Sequence, residues 1–159
     1  MSSRPEITTS EVMDEIAEVL ELEREEVEME SSLIDDLGAD SLDLVDISFS
    51  LGKRFGLKLP TKTTLVVAQE MVPNEGVFVD KGKLTELGAQ LLQGSPNQYS
   101  EQDIQPNMSI DVLLSQTLVR HWYELCAHIN GHPSLDGDTA IQEYLVDFLE
   151  KNELDTKAA

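Results

Sequence analysis

The chain has 159 residues, 40% of them hydrophobic but only 5% aromatic, and 31 acidic side chains against 11 basic give a formal net charge of -20. That length suits one domain of ordinary size or a small domain with additions, and the scarcity of aromatics favours aliphatic helix packing over an aromatic-rich sandwich. Charge this negative excludes nucleic acid and anionic membrane surfaces as partners and favours basic surfaces of other proteins, while no stretch approaches the roughly 18 apolar residues of a membrane span.

Residues 1–11 contain no apolar run of signal-peptide length. From Ser10 to Leu22 the sequence predicts a first helix, capped by Ser10, with Met13, Ile16, Val19 and Leu20 at helical spacing. Glu11, Asp14 and Glu15 stand in its first turns, where acids complement the helix dipole. Glu23 to Asp40 is a long connection anchored by Leu33, Ile34 and Leu37, with Gly38 suited to a turn. The acids are concentrated here: through Pro60 the chain holds 16 acidic and 5 basic residues, a net of -11.

A second helix is expected from Ser41 to Phe55, with Asp40 as cap and Asp43 completing a capping box. It carries two apolar stripes. Leu44, Ile47, Leu51 and Phe55 form one, and Leu42, Val45 and Phe49 the other. A helix of a small domain buries one stripe, so the second is either a wide core face or an apolar contact surface flanked by Asp43 and Asp46. Gly56 and Pro60 end the element.

The pattern then weakens. Leu65 to Val67 reads as a short strand or a helical turn, Val77 to Val79 as a short strand, and Leu84 to Leu92 as a helix ending at Gly94. Ser95-Pro96-Asn97 and Gln105-Pro106-Asn107 are turn sequences. Ser109 opens the strongest helical periodicity of the chain, with Ile110, Leu114, Leu118, Trp122, Leu125 and Ile129 recurring every three or four residues before Asn130-Gly131. The lone cysteine, Cys126, excludes an intramolecular disulfide and fits a reducing, cytoplasmic setting. A last helix is expected from Asp138 to Asn152, with Ile141, Tyr144, Leu145 and Phe148 on its apolar side.

Ser41 is the residue on which chemistry converges. A serine opening a helix caps it, is modified, or acts as a nucleophile. Nucleophilic catalysis needs a nearby base and an oxyanion site, but His121, His128 and His132 are remote in sequence and no GxSxG elbow surrounds Ser41. A phosphate asks for less, because the helix start itself stabilises an anion, by roughly 0.3–1 kcal/mol at an exposed site. The same three histidines with Cys126 lack a CxxC or HExxH spacing, so no metal site is expected.

The run Asp36-Leu37-Gly38-Ala39-Asp40-Ser41-Leu42-Asp43 resembles the attachment motif of acyl carrier proteins. Residues 10–60 resemble the first half of such a protein, and Ala39-Asp40 distinguishes them from the GGxS-type motif of peptidyl carriers. The resemblance implies a mostly α fold: an acyl-carrier-type four-helix bundle with an inserted segment and an appended C-terminal helix. Its core would be residues 8–60 and 106–132, the insertion 61–105 and the extension 133–159, all in one domain. It implies 4'-phosphopantetheine bound covalently to Ser41 and acyl intermediates carried on it as thioesters, so that the chain is no enzyme itself.

The expected partners are a phosphopantetheinyl transferase and acyl-processing enzymes such as ketosynthases, reductases or acyltransferases. Asp40, Asp43 and Asp46 would meet basic patches on them, and Leu42, Val45 and Phe49 would supply apolar contacts. The resemblance also places the acyl chain between helices, with Leu51 and Phe55 beside it. Where common fatty-acid carriers continue with glutamates, this chain has Lys53-Arg54, which points to a specialised fatty-acid, lipid or polyketide pathway. The alternative is a carrier-fold scaffold or regulator that works without a prosthetic arm.

Overall fold

The computed structural model describes residues 4–113 and 115–154. The terminal residues 155–159 of the expected extension, and Leu114 of the expected Ser109 helix, lie outside them. Among the described residues the chain is mostly helical, with six α-helices and one two-stranded hairpin.

α1 spans Thr9–Leu20 and begins one residue before the expected start, because Thr8 and not Ser10 is its cap. The Thr8 hydroxyl accepts from the Glu11 N–H while the Glu11 carboxylate accepts from the Thr8 N–H, so two otherwise unpaired donors are satisfied together. Val12, Ile16 and Ala17 form its buried side. The connection to the next helix contains a single 3-10 turn at Arg24–Glu26 and packs Val27 and Leu33 into the interior.

α2 spans Ser41–Phe55 as the sequence predicts, ending at Gly56 with φ +70°. Ile47 and Leu51 are fully buried, and Leu57 and Leu59 follow them into the same core. α5, Val119–Asn130, completes that core with Val119, Leu125, Cys126 and Ile129. α1 packs against both α2 and α5.

Residues 61–105 are built from regular elements. α3 (Thr64–Met71) resolves the ambiguity at Leu65 to Val67 in favour of helix. The expected strand at Val77 to Val79 is β1, Val79–Asp80, paired antiparallel with β2, Lys83–Leu84. Leu84 therefore lies in a strand, and α4 starts later, at Glu86–Gln93, capped by the Thr85 hydroxyl. α6, Gly137–Lys151, returns to pack on α3. These elements enclose a second core that includes Phe78, Leu84, Leu91, Ile104, Ile141, Leu145 and Leu149.

The largest departure from expectation is the Ser109 helix. Ile110–Val112 is only a 3-10 turn, and α5 starts ten residues beyond Ser109. The backbone of the intervening segment is committed elsewhere: the Ile110 N–H donates to the Gly82 carbonyl, the Thr117 carbonyl accepts from the Leu33 N–H, and Leu118 pairs antiparallel with Ser32. A backbone occupied by another segment cannot close helical i to i-4 bonds. Ile110 and Val112 are accordingly exposed and belong to no core face.

Candidate functional site

Asp40 caps α2. One of its carboxylate oxygens accepts from the Asp43 N–H at 2.9 Å, and an Asp43 oxygen accepts from the Asp40 N–H at 3.0 Å. Capping is thus done by the residue before the serine, and Ser41 stands as the first helical residue with an exposed side chain. The orphan N–H groups and positive dipole end of a 15-residue helix lie beside its hydroxyl. That environment fits a phosphodiester: the hydroxyl is reachable and no structural task competes for it.

The approach to Ser41 is rigidly held. Gly38 adopts φ +74°, a conformation that a side chain would strain. Its N–H donates to Ile34 O at 3.2 Å, and the Ala39 N–H to Leu33 O at 2.8 Å. Ser32 ties this loop together: its N–H donates to Asp36, its hydroxyl accepts from the Asp35 N–H and donates to Ser115 O at 2.9 Å. The sequence carries a signal for the local part, a Ser followed by acids three and four residues on, which the motif analysis passed over. The clamp by residues 115–120 joins positions more than 80 apart and has no local signature.

The second apolar stripe of α2 is a surface. Leu42, Val45 and Phe49 are 74%, 64% and 71% exposed. Asp40 and Asp46 are exposed and Asp43 half-buried around them. The stripe is therefore not part of the core, and large apolar side chains grouped on one exposed face are what an interaction surface requires. The basic pair after it divides: Lys53 is exposed on the same stripe, whereas Arg54 turns to α1 and pairs with Glu15 at 3.2 Å.

His121, His132 and Cys126 serve the fold, and His128 is exposed. His121 is 0% exposed. Its Nδ1 accepts from the Leu118 N–H at 2.8 Å, which leaves the proton on Nε2 to donate to Asp103 at 2.9 Å. Burial holds His121 below its ordinary pKa. Partial burial alone would raise Asp103, but hydrogen bonds from Ser100, His121 and Arg120 outweigh it and hold the carboxyl below the usual range. Arg120 also pairs with Glu30 at 2.8 Å, so this network links the second core to the loop before Ser41. His132 faces Glu143 and Ser134. Burial pushes the Cys126 thiol up to about 12. Among the described residues no three metal-ligating side chains converge, and none of the helices is long and apolar enough to cross a membrane.

Comparison with known proteins decides the family. Residues 10–65 match the family model described as "Phosphopantetheine attachment site". The acyl carrier protein AcpXL of Brucella melitensis biotype 1 is 45% identical over 86 residues, which cover 52% of this chain and 92% of the relative. That of Rhizobium meliloti is equally identical over 86 residues, covering 90% of its own length. This chain belongs to the acyl carrier protein family. The acyl carrier protein of Clostridium acetobutylicum is 49% identical over 49 residues, covering 31% of this chain and 64% of the relative. No solved structure matches. Acyl carrier proteins hold 4'-phosphopantetheine covalently, and this family membership gives the chain the same cofactor.

Proposed function

We propose that Ser41 bears the 4'-phosphopantetheine arm and that the chain presents acyl thioesters on it to acyl-processing enzymes without catalysing a step itself. The observation that carries this assignment is the division of labour at the start of α2: Asp40 caps, and Ser41 is left exposed at an anion-favouring helix end. A phosphopantetheinyl transferase would join the Ser41 oxygen to the arm's phosphorus, release the adenosine bisphosphate half of coenzyme A, and take up the serine proton.

Docking is assigned to Asp40, Leu42, Asp43, Val45, Asp46 and Phe49. An apolar patch ringed by carboxylates suits enzymes that present apolar contacts within a basic rim, such as ketosynthases, reductases and acyltransferases. Lys53 interrupts the acids of that face. Together with the second core, it supports a specialised fatty-acid, lipid or polyketide pathway over bulk fatty-acid synthesis. We further assign residues 8–60 and 106–132 to the carrier core, 61–105 to an insertion and 133–159 to a C-terminal extension, all within one domain.

The test is intact mass after incubation with coenzyme A and a broad-specificity transferase, beside a Ser41→Ala control. One phosphopantetheine is expected on the protein and none on the control. A folded protein that gains nothing, and that also lacks the arm when taken from its own cell, would make the chain an armless scaffold.

A further inference from the structure

Three side chains from the segment that leads out of α4 grip the start of α5. The Asn97 amide donates to the His121 carbonyl at 3.3 Å. The ring centroids of Tyr99 and His121 are 4.2 Å apart, and the Tyr99 hydroxyl shares a hydrogen bond with Thr117 at 3.1 Å. Asp103 accepts from His121 Nε2 at 2.9 Å and, with one oxygen to each, from Nη1 and Nη2 of Arg120 at 3.4 Å. Asp103 is itself fixed by the Ser100 N–H at 2.9 Å, and its neighbour Ile104 is buried in the second core.

Arg120 carries this grip to the loop before Ser41. Its Nε and Nη2 donate to the two Glu30 carboxylate oxygens at 2.8 and 3.3 Å, and its backbone N–H donates to the Met29 carbonyl at 2.9 Å. Beside it the Val119 N–H donates to Ser31 O, Leu118 pairs with Ser32, and the Ser32 hydroxyl donates to Ser115 O. Ser32 O accepts in turn from the Asp36 and Leu37 N–H groups, and Leu33 O from the Ala39 N–H, two residues before Ser41. A hydrogen-bonded strap therefore joins the second core to the residues from which α2 starts. The planar guanidinium engages two carboxylates at once, which a lysine cannot do. Without it, Glu30 and Asp103 are left as like charges that repel and push the loop off the strap. The cap of α2 is local, between Asp40 and Asp43, so the strap is not needed to form the helix. What it fixes is the loop that delivers Ser41.

We propose that Asp103 and Arg120 are positioning residues for chemistry at Ser41: through them the second core sets the loop conformation in which a phosphopantetheinyl transferase accepts the chain. This rests on the assignment of the arm to Ser41. Both residues act through the strap and not by contact with the serine. A loosened strap leaves part of the folded population with the loop displaced. An enzyme that accepts only the held form then meets a substrate diluted by that fraction. Such dilution raises KM and leaves kcat unchanged, because saturating carrier refills the competent form.

The full chain and its Asp103→Asn and Arg120→Lys variants are titrated as substrates of a broad-specificity transferase with coenzyme A, and initial rates are read by intact mass. Each variant should show a KM for the carrier roughly three- to tenfold higher, with kcat unchanged. Exchange of the Gly38 and Ala39 amide hydrogens, which bond to Ile34 O and Leu33 O, should quicken in both. Tyr144→Phe removes a bond to the Leu91 carbonyl inside the second core; it should lower the melting temperature and leave KM alone. An unchanged KM in either strap variant overturns the proposal, as does an equal rise in Tyr144→Phe, which would mark a general loss of stability. A rise in KM without faster exchange at Gly38 and Ala39 overturns it too, because the two side chains would then be touching the transferase directly. A wild-type chain that gains no mass overturns the assignment of the arm to Ser41, a separate outcome.

Discussion

Asp40 and Ser41 divide two tasks that one residue at a helix start often combines. The cap belongs to Asp40 through its bond from the Asp43 N–H, so the two substitutions should separate cleanly. Ser41→Ala should abolish arm attachment while leaving the melting temperature within the small range typical of exposed positions. Asp40→Ala should lower stability by about 0.5–2 kcal/mol, the usual cost of losing such a cap, and thermal unfolding beside intact mass measures both. Cys126 offers a second test at this scale. Its thiol is buried and pushed up to about 12, and it is the thiolate that reacts. Native protein without the arm should show no thiol that titrates rapidly with a disulfide reagent at neutral pH. Arm-bearing protein should show one, and a second only on unfolding.

At the level of elements, α2 was legible in sequence because every signal for it is local: cap, acid three residues on, apolar spacing and terminal glycine. Its second stripe was legible as a core face or a contact surface, and exposure excludes the core face. The false helix at Ser109 had equally good spacing, but its backbone is claimed by Gly82, Ser32 and Leu33, contacts that no local pattern records. The His121–Asp103 link was hidden for the same reason, and it makes acid stability a property of how residues 97–104 attach to α5. His121 takes up a proton in the unfolded chain near its ordinary value of 6.5 and resists it when folded. Its contribution is complete above 6.5 and drains as pH falls below it. Asp103 acts in the same sense at lower pH, complete above its ordinary 3.8. Thermal unfolding should therefore show stability declining below about pH 6.5, and His121→Asn should start lower but lose that part of the slope. The attachment of α6 is testable apart from pH. A Cβ on Gly137 would stand 2.5 Å from the Pro60 ring, so Gly137→Ala should cost about 1–3 kcal/mol, as overpacking does. Hydrogen exchange should accelerate first in α6 and in α3, on which it packs.

For the molecule as a whole, the two cores share one chain path but carry different duties. The first positions Ser41 and the exposed apolar stripe of α2; the second adds α3, the hairpin, α4 and α6 to it through Lys58, Pro60, Gly137 and the Arg120 network. Across both, a net charge of -20 stores self-repulsion that folding must confine. Exposed ion pairs return little of this. Salt screens charges beyond about 10 Å at 0.1 M, and the repulsion is spread over the whole surface. Raising salt from about 0.01 M to 0.15 M should accordingly raise the melting temperature. The same screening should weaken the proposed docking, because Asp40, Asp43 and Asp46 would meet a basic rim through the attraction that salt removes. Stability and affinity should therefore move in opposite directions along one salt series. Binding to a basic-rimmed ketosynthase followed beside thermal unfolding provides the measurement. Affinity that holds constant while the melting temperature rises would place the docking energy on Leu42, Val45 and Phe49 and leave the carboxylates as solubility groups.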